Sequence, residues 1–169
     1  LGVTRFIWYW HRTRKPEGRR WWQWALLGGL GGIMMLVREQ DVLFLVIPGL
    51  EALVALVSLW RKRESGRLVQ ARNWIAGVVL MGVAAFVAFI PQLFTYKILT
   101  GRFSPSRVVS GKFNWFSPNF FNVLFSPEHG MLTWTPIITV CLIGLIFFCR
   151  QDKLFAGSLA VSFFLQVYV

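Results

Sequence analysis

WWQWALLGGLGGIMMLV, running from Trp21 to Val37, decides how the rest of the chain is read. Three of its first four residues are Trp, none of its residues is charged, and Gly28, Gly29, Gly31 and Gly32 sit at its centre. In water four glycines would undo a helix, since each costs about 1 kcal/mol relative to Ala. In lipid, small residues let neighbouring helices approach closely, so the run reads as a transmembrane helix over 21–37 with a packed face. Trp21, Trp22 and Trp24 then form an aromatic belt at the headgroup level. A phosphate-cradling glycine loop is the alternative, but it needs a Lys-Ser/Thr pair and a preceding strand, and neither is legible here.

Working outward, Arg38-Glu-Gln-Asp41 interrupts the apolar pattern for four residues, and Val42 to Trp60 resumes it for 19. That is enough to cross a hydrocarbon core about 30 Å thick, and the tight turn makes the two helices an antiparallel hairpin. A basic loop over 61–73 follows, then a crossing over 74–96 in which Pro91 kinks or ends the helix near the interface. Residues 97–130 form one long loop. Further crossings are expected over 131–149 and 154–169, joined by the turn 150–153. Upstream, Leu1 to Trp10 reads as the tail of a preceding helix. A first basic loop, 11–20, holds Arg12, Arg14, Lys15, Arg19 and Arg20, with Pro16 and Gly18 as helix breakers.

The composition agrees with this pattern. Of 169 residues 56% are hydrophobic and 15% charged, with a mean hydropathy of +0.56, too little polar surface for an ordinary soluble domain. The fold class expected is therefore all-α, a polytopic transmembrane helix bundle. The chain starts at Leu1 and ends inside an apolar run, and reads as an internal piece of a longer membrane protein. The net charge of +11 lies in short blocks between apolar runs, which argues against a nucleic-acid partner. Thirteen of the 18 Lys and Arg belong to the two basic loops (Arg5 included) and the 150–153 turn; five belong to Arg38 and the 97–130 loop. The positive-inside rule places the basic loops in the cytoplasm and the Arg38 turn, the long loop and the start of the 131–149 helix outside. Cys141 and Cys149 lack metal-ligand spacing and read as small core residues.

Several residues invite a chemical reading. Arg38 sits on a turn just outside the bilayer, where a guanidinium matches phosphate oxygens; equally, such a turn needs polar residues to hold helix ends at the interface. The 97–130 loop carries Lys97, Arg102, Arg107 and Lys112 among seven Phe and Trp side chains, with Asn114, Asn119 and Asn122. Rings and amides suit sugar faces and hydroxyls, and cations suit a phosphate; a loop lying in the headgroup layer would look the same. Glu128 and His129 are the nearest approach to an acid–base pair, or else a structural corner at Gly130. Glu51, inside an apolar helix, demands a partner: a proton path would supply one, and so would a hydrogen bond to a neighbouring helix. No nucleotide-binding loop, zinc motif or nucleophile elbow is present, and no metal site or cofactor is expected.

Three segments carry a family resemblance: LVREQDVLFLVIP (36–48), IPQLFTYKILTG (90–101) and LFSPEHGMLTWTPI (124–137). Together with the Gly-rich helix they resemble bacterial glycosyltransferases of the GT-C fold. The nearest group is family 39, relatives of the dolichyl-phosphate-mannose–protein mannosyltransferases. The most specific piece is Ser126, Pro127, His129, Gly130, Trp134, Thr135 and Pro136. The resemblance implies part of a GT-C-like bundle in a bacterial plasma membrane, with its active face outward. It also implies transfer of a hexose such as mannose from a polyprenyl-phosphate carrier to an acceptor hydroxyl on a lipid, glycan or protein. Arg38 becomes the first candidate for the carrier phosphate, followed by Lys97, Arg102 and His129, with Trp134 beside the substrate. The family's catalytic carboxylate lies in the first outer loop, after the first transmembrane helix, so the base falls on no residue of this chain; His129 and Glu128 are minor candidates. Glu128 stands where the motif leads one to expect a basic residue. A secondary transporter and a non-catalytic membrane scaffold are the alternatives.

Overall fold

The computed structural model describes residues 1–15, 18–62, 66–103, 120–127 and 130–168. Every regular element among them is helical. The chain divides into two units, Leu1–Ser106 and Arg107–Val169. The first contains α1 (Gly2–Thr13), α2 (Trp21–Val37), a 3-10 segment (Glu39–Leu45), α3 (Val46–Lys62) and α4 (Arg67–Thr100). The second contains α5 (Phe120–Phe125), α6 (Met131–Trp134), α7 (Pro136–Phe148) and α8 (Lys153–Tyr168).

The glycines of α2 are what bring it onto α4. Gly28 packs on the Met81 carbonyl and Ala84, and a Cβ at Gly32 would lie 2.5 Å from both the Ala85 carbonyl oxygen and the Ala88 methyl. Trp24 fills the space that a side chain at Gly77 would need. Trp24, Gly28 and Gly32 thus meet Gly77, Met81 and Ala85, four residues apart on each helix. The two helices run in the same direction with their backbones in contact, an arrangement that small residues permit in lipid. Trp24 also meets Trp74 edge to face, with ring centroids 5.7 Å apart. Gly29, by contrast, faces open space, and Gly31 receives Leu45 from the 3-10 segment.

The apolar stretch expected as one helix over 42–60 is two elements. A 3-10 segment leads back along α2, and α-helix begins at Val46, with Pro48 in its first turn where the missing N–H costs least. α4 is longer than the expected 74–96. Arg67 to Arg72 contains no breaker, and charge by itself does not stop a helix. The helix also passes through Pro91 and ends at Thr100, where Gly101 adopts φ +71° and its N–H donates to the Lys97 carbonyl at 3.0 Å. Its 34 residues span about 51 Å, longer than a hydrocarbon core of about 30 Å. α1 is amphipathic. It turns Phe6, Trp10 and Thr13 inward and runs antiparallel to α2, Gly2 lying against Met34. Arg5 is therefore drawn away from the basic loop with which the charge count grouped it.

In the second unit, the single helix expected over 131–149 is broken at Thr135 (φ −129°, ψ 74°). Pro136 is the cause: it has no N–H to offer and disfavours α geometry in the residue before it. α8 is preceded by Asp152, whose Oδ1 accepts from the Phe155 N–H at 3.0 Å, and Phe155 meets Phe148 of α7 edge to face at 5.3 Å.

Among the described residues two stretches are long and apolar enough to cross a membrane, Glu39–Arg61 and Arg67–Thr100. α2, α7 and α8 are apolar but shorter than the roughly 20 residues that a crossing usually takes.

Candidate functional site

The first unit has two chemically different ends. At one end α1 turns into α2, α3 finishes and α4 starts, and Arg12, Arg14, Lys15, Arg19, Arg20, Arg61, Arg67 and Arg72 collect there. Arg67 lies over the Trp60 ring at 5.7 Å, tying the start of α4 to the end of α3.

Arg19 is the exception in this basic cluster, because it is buried. Its Nη1 donates to Glu51 Oε2 at 2.7 Å, its Nε to Thr13 Oγ1 at 2.9 Å and its Nη2 to the Trp10 carbonyl at 2.8 Å. The guanidinium also stacks over Trp24 at 5.0 Å. Glu51 Oε2 accepts a second bond, from Trp10 Nε1 at 2.6 Å, and Arg14 lies 4.0 Å from Oε1. Burial lowers the Arg19 pKa and the Glu51 carboxylate opposes that shift. Glu51 thus has its partner in the α1–α2 loop. The 3-10 segment carries the chain back along α2, so that the sixth residue of α3 arrives level with Arg19.

At the other end are the residues expected to bind substrate. Arg38 caps α2, is exposed, and donates from Nη2 to Gln40 Oε1 at 3.3 Å. A guanidinium has five N–H donors, so that single bond leaves most of its capacity. Lys97 lies in the last turn of α4 with Nζ 4.7 Å above the Phe103 ring. Arg102 is exposed just beyond the Gly101 cap. From the shared Gly32/Ala85 level, Arg38 lies about 9 Å and Lys97 about 18 Å further along the common direction. Arg38, Lys97 and Arg102 therefore gather at the end remote from the buried ion pair. Trp134 closes α6 in the second unit. His129 and Glu128 lie outside the described residues, as do Arg107, Lys112, Asn114 and Asn119. Among the described residues no group of three or more His, Cys, Asp or Glu could hold a metal ion.

Sequence reasoning missed Arg19 and Trp10 as partners of Glu51. The one available signal was the isolated acid itself, which demands a partner without naming it. Among the described residues every regular element is helical, and two helices are long and apolar enough to span a membrane. No family model, characterised protein or solved structure matches the chain.

Proposed function

We propose that the chain is the central helical part of a multi-pass GT-C-type glycosyltransferase. It would move a sugar from a polyprenyl-phosphate carrier to an acceptor hydroxyl on the outer face of a bacterial plasma membrane. The membrane setting draws support from the outer faces of α3 and α4, where Leu53, Val54, Val57, Val79, Val83, Phe86 and Val87 are exposed. Only 28% and 22% of the most apolar windows of the two spans are buried, unlike the core helices of a soluble protein. Such a surface is stable when its solvent is lipid.

The observation that carries the catalytic reading is the exposed Arg38 guanidinium, with Lys97 beyond it, at the end away from the basic loops. In the reaction the acceptor oxygen attacks the anomeric carbon. The bond from that carbon to the phosphate oxygen breaks, and its electron pair leaves with the lipid phosphate. The acceptor proton passes to a carboxylate base, which the family resemblance assigns to the first outer loop of the enzyme. Arg38 and Lys97 stabilise the departing charge, an electrostatic contribution often worth 10²–10³ in turnover. A lipid-linked donor needs no nucleotide fold, in keeping with the missing motif. The transporter alternative relied on Glu51 as a carrier of protons, whereas two donors, one of them a buried cation, already account for that carboxylate.

Arg38→Ala in the full-length enzyme is expected to lower turnover of a polyprenyl-phosphate sugar by about 100-fold. Arg38→Lys should recover part of the loss, since an ammonium keeps the charge but not the fork. Unchanged donor affinity and turnover in Arg38→Ala would remove the proposal's main support. Cation-coupled flux through the wild-type protein would favour the transporter.

A further inference from the structure

A cleft at the basic end of the first unit has a donor with nothing to donate to. It measures about 270 Å³ and lies between the start of α2 and the first turns of α4, bounded by Arg19, Trp21, Trp24, Trp74, Ala76 and Leu80. Trp74 is 3% exposed, and its indole N–H has no hydrogen-bond partner. That edge of the ring is turned toward Gly18, which lines the same cleft; a Cβ there would lie 3.6 Å from the indole nitrogen. An indole nitrogen is a donor only, so the group that completes it must bring an acceptor. A buried donor left unmade costs about 1–3 kcal/mol.

The walls say what kind of molecule brings the acceptor. Toward the mouth are Asn73 and Trp21, both exposed, with the exposed cations Arg20 and Arg72 next to the lining in sequence. Ala76 and Leu80 continue along α4 into its apolar span. The cleft is thus polar at its mouth, where two exposed cations adjoin its lining in sequence, aromatic in the middle and aliphatic along the helix, an order that matches the headgroup-to-chain polarity of a glycerophospholipid. Its volume is below that of a typical drug-sized site, and suits the glycerol ester region and the top of one chain. We infer that this cleft is a binding site for an anionic glycerophospholipid of the cytoplasmic leaflet. A lipid ester or phosphate oxygen accepts from Trp74 Nε1, and the headgroup charge lies among Arg20 and Arg72. The site is distinct from the Arg38–Lys97 end and depends on the membrane setting but not on the transfer reaction.

The test uses the full-length protein in mild detergent, with native mass spectrometry of retained phosphatidylglycerol against phosphatidylcholine. Wild type should hold phosphatidylglycerol in preference. Trp74→Phe, which keeps a ring and deletes the N–H, should weaken that retention about tenfold. Ala76→Phe should do the same by filling the cleft from a position that is exposed and so leaves the packing intact. Arg38→Ala should leave retention unchanged. Equal retention of the two lipids, undiminished retention in both cleft variants, or displacement of lipid by millimolar inorganic phosphate would each overturn the inference. Release of the protein from membranes by alkaline carbonate would instead contradict the membrane setting itself.

Discussion

Gly28→Ala and Gly29→Ala, one residue apart in the same helix, should differ by about 1–4 kcal/mol in stability. At Gly28 an added methyl runs into the Met81 carbonyl, a backbone group that cannot rotate away, and into the Ala84 methyl. α2 and α4 must then separate along their whole contact, and overpacking of this kind costs typically 1–3 kcal/mol and occasionally more. At Gly29 nothing lies within 4 Å, so Ala adds only its higher helix propensity, up to about 1 kcal/mol of stabilisation. Thermal unfolding of the two variants in one detergent measures the difference. For a chain of this size each 1 kcal/mol is worth about 2–4 °C in Tm. The expected pattern is Gly28→Ala well below wild type and Gly29→Ala at or above it. Equal Tm values would mean that α2 does not meet α4 through Gly28.

The second large effect concerns the buried ion pair. Glu51→Ala leaves the Arg19 guanidinium, 8% exposed, without its counter-charge, and loss of one partner in such a pair costs about 3–5 kcal/mol. Arg19→Ala strands the Glu51 carboxylate in the same way, with Trp10 as a hydrogen-bond donor but no cation at 2.7 Å. The double variant Arg19→Leu/Glu51→Leu removes both charges and restores apolar volume, and should be more stable than either single alanine variant. A double-mutant cycle of Arg19→Ala, Glu51→Ala and the double alanine variant, read by chemical unfolding, gives the coupling directly. Strict additivity of the two single changes would show that Arg19 and Glu51 do not meet.

How much of this was legible beforehand differed from element to element. α2 could be read to its ends, because a Trp cluster opens it and Arg38 closes it. The 3-10 segment could not, since Val42 to Leu50 is almost uniformly apolar and carries no periodicity to distinguish one helical register from another. The start of α4 was hidden by its charges: Arg67 and Arg72 lower hydropathy without opposing helix. The break at Thr135 was written in the Thr-Pro pair and passed over in favour of the apolar run around it. The glycine cluster announced close packing, but which glycine touches a neighbour depends on the position of α4, more than 40 residues away in sequence. The partners of Glu51 were out of reach for the same reason. Arg38, Lys97 and Arg102 could be placed at one end from charge alternation alone, because each follows or precedes a complete apolar run.

The central claim is that α2 and α4 run the same way through a membrane, with Arg38 and Lys97 outside and the buried ion pair toward the cytoplasm. Single-cysteine labelling tests it most directly. Cys141 and Cys149, both free, are first replaced by Ser. The variants R38C, K97C, R20C and R72C are then exposed in intact cells to a membrane-impermeant maleimide. R38C and K97C should label at once, and R20C and R72C only after the membrane is permeabilised. Labelling of R38C and R72C from the same side would contradict the account.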